Sequence, residues 1–293
     1  MRLIFLGFDC NNHCVFCSQG ALGAASPASA SKNGAPVSSG KEIAFVGGEP
    51  TLSERLFGAV SAAKKSGTEW VLVQTNARRL CYPDYARGLL AAGVDALDVS
   101  LQGSTPAMHD YHTQVPGSWV QTVAGMRQAK KIGLPFGVST VITRSNFRHL
   151  AEILRLAHSS GAQAIRFEPA EAYGRAAAAR DRVVPTPELV AEEIIAASRE
   201  AARLGVGLCV YGKASSPAAL RFFAGIGEHN ETPAPTPAPA ADSAPAPQKR
   251  GEETRVRPKP GLREVHVREK ITGEALRVIF PKLFAPEQTE THG

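Results

Sequence analysis

Cysteine is scarce in this chain and poorly arranged for disulfides. Five cysteines in 293 residues, three of them between positions 10 and 17, do not make the framework of a secreted, disulfide-stapled domain, and they fit a reducing compartment. Long apolar runs are missing too. No stretch approaches the ~20 residues needed to cross a bilayer. The opening MRLIFLGFD is too short an apolar segment for a secretory signal and runs straight into Asp9. A soluble, cytoplasmic protein with no membrane partner is expected. An excess of one charge is also lacking over most of the chain. Of the formal +6, residues 1–248 contribute +3 (23 Lys/Arg against 20 Asp/Glu) and residues 249–293 the other +3 (10 against 7). The large body is therefore close to neutral, which removes any global case for nucleic-acid binding.

What is present is enough for one large domain with an appendage. The chain is 43% hydrophobic, ample for a buried core. Apolar, β-branched runs alternate with helix-period segments as far as about residue 211. Strands are expected near Leu3–Phe8, Glu42–Val46, Trp70–Thr75, Val94–Leu101, Pro135–Ile142, Ala164–Glu168 and Val206–Tyr211. Helices are expected over Leu52–Lys65, with Thr51 and Glu54 as a capping box, and over Pro83–Ala92, Ser118–Lys131, Asn146–Ser159 and Pro187–Leu204. Such alternation makes a parallel sheet covered by helices. The units are too few for a closed eight-fold barrel, so an α/β, partial (β/α)6-type open barrel is predicted over residues 1–212. Between Cys17 and Lys41 an Ala/Ser/Gly/Pro-rich stretch reads as a loop where a first helix would be expected. Residues 213–250 read as a disordered, low-complexity Pro/Ala linker, and 251–293 as a short basic tail with a possible hairpin at Leu262–Phe284.

Cys10, Cys14 and Cys17 follow the first strand with the spacing C-x3-C-x2-C. Three thiolates can hold three corners of an iron–sulfur cube and leave the fourth iron open to a ligand, and Phe16 within the last spacer could shield the group from water. Cys10, His13, Cys14 and Cys17 also read as a zinc knuckle. Further candidates lie at successive strand ends. Gly47, Gly48, Glu49 and Pro50 follow the second strand, Thr75 and Asn76 end the third, and Ser100 and Gln102 end the fourth. In barrels of this kind such positions face the mouth where ligands bind.

The cysteine triplet, GGEP, TN and SLQG, in this order and on these elements, resemble the radical S-adenosylmethionine (SAM) superfamily across roughly residues 1–211. The resemblance implies that Cys10, Cys14 and Cys17 hold a [4Fe-4S] cluster. It implies that Phe16, Gly47, Gly48, Glu49, Pro50, Thr75, Asn76, Ser100 and Gln102 form the SAM site. It further implies reductive cleavage of SAM to a 5′-deoxyadenosyl radical, with an external electron donor as partner and a peptide or small molecule as the favoured substrate. Thr113 stands where some relatives carry an arginine for the SAM carboxylate, leaving Arg144, Arg166 and His112 as substitute cations. His109 to His112 read as a loop leading into a helix, and Arg166, Glu168 and Glu171 as substrate-side residues. Cys81 and Cys209 read as ordinary thiols, with no second cysteine cluster after residue 209. No catalytic residue is singled out. Two alternatives stand beside this reading: an RNA-modifying relative using the basic tail, whose only aromatics are Phe280 and Phe284, and a non-catalytic SAM-binding iron–sulfur partner.

Overall fold

The computed structural model describes residues 1–21 and 41–223. Among these residues eight strands form one sheet in chain order: β1 (Arg2–Phe5), β2 (Glu42–Val46), β3 (Trp70–Thr75), β4 (Ala96–Ser100), β5 (Phe136–Ile142), β6 (Ala164–Pro169), β7 (Gly207–Val210) and β8 (Lys213–Ala214). β1 to β7 are all parallel, β8 is antiparallel to β7, and the sheet is open. Parallel neighbours require crossovers, which helices supply. The helices are α1 (Leu56–Lys65), α2 (Pro83–Ala92), α3 (Pro106–Thr113), α4 (Ser118–Lys131), α5 (Leu150–Ser160), the short α6 (Arg175–Ala178) and α7 (Arg180–Val183), then α8 (Pro187–Leu204) and α9 (Pro217–Leu220).

The alternation of side chains along each strand divides the sheet into two faces. One presents Phe45, Val73, Leu97, Val138, Ile165 and Phe167 to Leu56, Leu89, Met126, Leu150, Ile153 and Ile194 of the helices, and these form a single buried core. The other face is concave and carries small residues at its base. Ala44, Val46, Leu72 and Ala96 meet Phe222, while Ala164 and Cys209 meet Ala219 and Phe223. Two glycines make room for that packing: a Cβ on Gly137 would lie 2.6 Å from Phe222 Cβ, and one on Gly207 2.8 Å from Ala219 Cβ.

This corrects the expected linker boundary. Residues 213–223 fold back as β8 and α9 and cover the base of the concave face, with Phe223 almost fully buried. The turn into β8 is made by Tyr211 and Gly212, at φ 51° and 73°, and the Gly212 N–H donates to Glu168 Oε1 at 2.9 Å. Trp70 Nε1 donates to the Arg221 carbonyl at 3.2 Å, and the Arg221 guanidinium lies 4.1 Å from the Trp70 ring centre. The elements are too short to show a period, so only tertiary contact makes them visible. Residues 22–40 and 224–293, including most of the expected linker and the hairpin at Leu262–Phe284, lie outside the described residues.

Two other local expectations change. The proposed capping box does not form. Thr51 gives its hydroxyl to Glu49 at 2.6 Å within a 3-10 turn over Pro50–Leu52, and α1 starts later, at Leu56, with no side-chain cap. His109 to His112 lie inside helix α3 rather than in a loop. Among the described residues no helix is long and apolar enough to cross a membrane.

Candidate active site

The concave face opens at the C-terminal ends of the strands into a cavity of about 350 Å³, roofed by the cysteine loop. Cys10, Cys14 and Cys17 line it together with Phe16, Gly48, Glu49, Thr75, Asn76, Ser100 and Gln102. Seven of the nine expected SAM-site residues thus share one space with all three cysteines. Gly47 and Pro50 do not; they border a smaller hollow of about 220 Å³ beside Arg55.

The cysteine loop is held from behind by α3. The last carbonyls of a helix have no partner within it. Here Val15 N–H donates to the His112 carbonyl at 2.9 Å and His13 N–H to that of Thr113 at 2.8 Å. Both histidines of α3 support this helix. His112 accepts from Thr143 Oγ1 at its Nε2, 2.7 Å away, and donates from Nδ1 to the Met108 carbonyl, also at 2.7 Å. His109 Nδ1 accepts the Gln102 N–H at 3.1 Å. Burial pushes His109 down to about 4 and lowers His112 as well, so both are neutral near pH 7. Asp110 caps α4, accepting from the N–H groups of Gly117 at 2.6 Å and Trp119 at 2.8 Å.

GGEP serves first to bring two chain segments together. A Cβ on Gly48, at φ 53°, would collide with the carbonyls of Phe8 and Asp9, and Glu49 N–H donates to the Asp9 carbonyl at 2.7 Å. The Glu49 side chain is the hub of this wall. Its Oε1 accepts from Thr51 N–H (3.1 Å), Thr51 Oγ1 (2.6 Å) and Thr75 Oγ1 (2.6 Å), and its Oε2 from Asn76 N–H (2.6 Å). Burial raises its proton affinity, and the four donated bonds oppose that rise. Thr75 is committed on both sides, since its hydroxyl also accepts from Ala77 N–H at 3.0 Å. Asn76 Nδ2 donates to Asn11 Oδ1 at 2.6 Å, and Arg78 reaches the Asn11 carbonyl and Asn12 Oδ1. Gln102 Oε1 accepts from Val141 N–H at 2.9 Å. Ser100, Glu171 and Tyr173 differ: they face the cavity with side-chain polar atoms that have no partner among the described residues.

The donor set discriminates between the metal readings. A zinc ion would draw its sulfur ligands to about 2.3 Å, so they would converge on one point. Of the zinc-knuckle set, His13 is exposed and lies outside the cavity that the three cysteines share. Three thiols on one cavity, with no histidine of the motif beside them, suit a multi-iron cluster with one open corner instead. Burial pushes Cys10 up to about 11. Burial and the neighbouring cysteines push Cys14 up to about 12, so binding a metal there releases protons.

The substitute cations for the SAM carboxylate are not at the cavity wall. Arg166 is held inside the sheet by Asp98 at 3.0 Å and Ser139 at 3.0 Å, and Phe223 lies beneath its guanidinium. Both His112 nitrogens are occupied, and Arg144 is tied by its backbone N–H to Val183. Glu168 serves the Tyr211–Gly212 turn, while Glu171 does reach the cavity. Asn11, Asn12, Gln19, Gln74, Arg78 and Arg175 were not singled out by pattern. Asn11 and Asn12 are polar spacers of the cysteine motif and Gln19 follows it by two residues, whereas Gln74, Arg78 and Arg175 are far from it in sequence.

An open, helix-covered parallel sheet with a three-cysteine loop over its strand ends defines a class, and the comparisons agree with it. The model of the radical SAM superfamily matches residues 4–157, and the chain belongs to that superfamily. Its members use a [4Fe-4S] cluster and SAM. The chain is similar to an AdoMet-dependent heme synthase of Nitratidesulfovibrio vulgaris (29% identity over 153 residues, 52% of this chain and 41% of that protein). It is also similar to a probable GTP 3′,8-cyclase of Sulfolobus acidocaldarius (32% over 164 residues, 54% and 51%). A PqqA peptide cyclase of Gluconobacter oxydans is 25% identical over 167 residues (57% and 46%). The chain spans about half the length of these curated relatives. Among solved structures, the fold matches Streptococcus suis SuiB bound to precursor peptide SuiA, with a TM-score of 0.55 at 12% identity (72% of this chain, 48% of that one). It also matches native anSMEcpe with bound AdoMet, with a TM-score of 0.53 at 15% identity (71% and 64%).

Proposed function

We propose that this chain is a radical SAM enzyme of the cytoplasm, with Cys10, Cys14 and Cys17 holding a [4Fe-4S] cluster and a peptide or small molecule as substrate. The observation that carries the reading is the convergence of all three cysteines, Phe16 and six strand-end residues on one cavity. A cluster held by Cys10, Cys14 and Cys17 and reduced by an external donor would supply the electron for cleaving SAM to methionine and a 5′-deoxyadenosyl radical, the species that would take a hydrogen atom from the substrate. The chain's own residues prepare the space for this. Glu49, fixed by four donated bonds, holds the Gly47–Thr51 turn and the end of β3 in one geometry. Gly48 presents backbone to the cavity, and Ser100 presents a hydroxyl without a partner among the described residues. Phe16, packed near His112 with ring centres 6.3 Å apart, covers the cysteines from water.

A peptide or small molecule is favoured over RNA because no Lys or Arg is among the lining residues described, and the basic tail lies outside them. The test is anaerobic reconstitution with iron and sulfide, followed by SAM and dithionite. Formation of 5′-deoxyadenosine, abolished in C10A, C14A or C17A, is expected. An intact cluster with no cleavage would leave only the non-catalytic SAM-binding alternative.

A further inference from the structure

Two arginines brace the cysteine loop without a carboxylate partner among the described residues, Arg78 through Asn11 and Asn12 and Arg175 through the carbonyls of Cys14 and Cys17, so that of the two Arg175 is the one bonded to the cysteines themselves. Arg166 is neutralised by the buried Asp98, whereas no carboxylate pairs with Arg175 among the described residues. Its hydrogen bonds go to the cysteine loop: its N–H donates to the Cys17 carbonyl at 3.1 Å and its Nη1 to the Cys14 carbonyl at 3.1 Å. The residue before it makes this approach possible. Gly174 has φ 56°, and a Cβ there would run into the carbonyls of Cys17 and Ser18. Apolar packing seats the same segment, since Ala176, Ala179 and Val183 meet Val15 and Phe16. Arg175 does not line the cavity, so it braces the loop rather than facing the space open to SAM and substrate.

A half-buried guanidinium with no carboxylate partner is costly unless negative charge lies close by. Three thiolates around an iron–sulfur cluster supply such charge, and the charge grows by one on reduction. We propose that Arg175 is a positioning residue for the cluster, clamping the Cys14–Cys17 turn and acting as the fixed counter-charge that favours the reduced state. The proposal rests on the cluster reading above. It makes Arg175 one determinant of the reduction potential, alongside solvent exposure and hydrogen bonding.

The test compares the full chain with R175K and R175M after anaerobic reconstitution. The reduced cluster is titrated with dithionite and followed by electron paramagnetic resonance. At a fixed poise, R175M should show about a tenfold lower ratio of reduced to oxidised cluster, equivalent to about 59 mV for a one-electron couple. R175K, which retains the charge, should stay much closer to wild type. If R175M holds no iron while R175K holds a full complement, and both apo-proteins melt alike, the clamp is supported through assembly instead. An unchanged ratio in fully loaded R175M would overturn the proposal. So would equal loss of iron from both variants, or weakened SAM binding with an unchanged ratio, which would make Arg175 a SAM ligand. Failure of the wild-type chain to assemble a [4Fe-4S] cluster would instead sink the cluster reading and this proposal with it, a result seen before any variant is compared.

Discussion

The two walls of the cavity are built differently. On the side of β2, β3 and β4, the polar groups are largely committed to one another: Glu49 accepts four bonds, Thr75 is used as donor and acceptor, and Asn76 joins Asn11 to Arg78. On the side formed by Val141 and residues 169–173, Glu171 and Tyr173 have no side-chain partner among the described residues. The first wall is a rigid frame that sets the positions of the cysteine loop and strand ends. The second retains the polar capacity that an incoming molecule would use. A buried network with every member satisfied resists change, while a wall with open groups tolerates it.

Substitutions should therefore separate the walls by stability. Glu49→Ala removes the acceptor of four buried donors and should cost about 3–5 kcal/mol in urea unfolding of the apo-protein. A loss below about 1 kcal/mol would break the picture of a rigid first wall. Gly48→Ala forces a side chain onto the Asp9 carbonyl at a left-handed backbone position, and about 2–4 kcal/mol is expected from the same measurement.

His109 supports this wall through Gln102, and its pKa near 4 lies below the ordinary value of 6.5. Between those values the unfolded chain binds a proton that the native chain does not. Stability from this group is thus fully present above about pH 6.5 and is lost as pH falls toward 4, by about 3 kcal/mol in total. His109→Gln should flatten the measured slope of stability against pH in that window by about one proton. Ala77→Gly relieves a φ of 59° but removes a buried methyl, so a net change within about 1 kcal/mol is expected in thermal unfolding. The smallest effect belongs to the other wall: Glu171→Gln should move stability by less than about 0.5 kcal/mol. Its effect should appear in product formation once a substrate is in hand, not in SAM-only cleavage. A large stability loss there would erase the contrast between the walls.

Ala77 also illustrates what pattern reading can and cannot supply. Its φ of 59° is the left-handed conformation that glycine adopts most easily. Nothing in the local pattern announces that conformation. Strands at Glu42–Val46 and Trp70–Thr75 and helices at Pro83–Ala92, Ser118–Lys131 and Pro187–Leu204 have the expected bounds, because local periodicity and end signals agree there. Residues 213–223 escaped notice because two strand residues and one helical turn carry no period of their own. Thr75 and Asn76 line the cavity, but their commitment to Glu49 and Asn11 depends on distances between strand ends that pattern does not encode.

Local order along the chain was enough to determine the alternating α/β body, the cysteine triplet and the succession of polar strand ends. Each rests on periodicity or spacing within a few residues. Tertiary structure decided which of those strand-end groups remain open and which are consumed by neighbours. It also brought Arg175, 161 residues from Cys14, to the back of the cysteine loop. The reason is geometric. A parallel sheet brings distant strand ends to one rim, and hydrogen-bond commitments across that rim are settled only when all its members are in place.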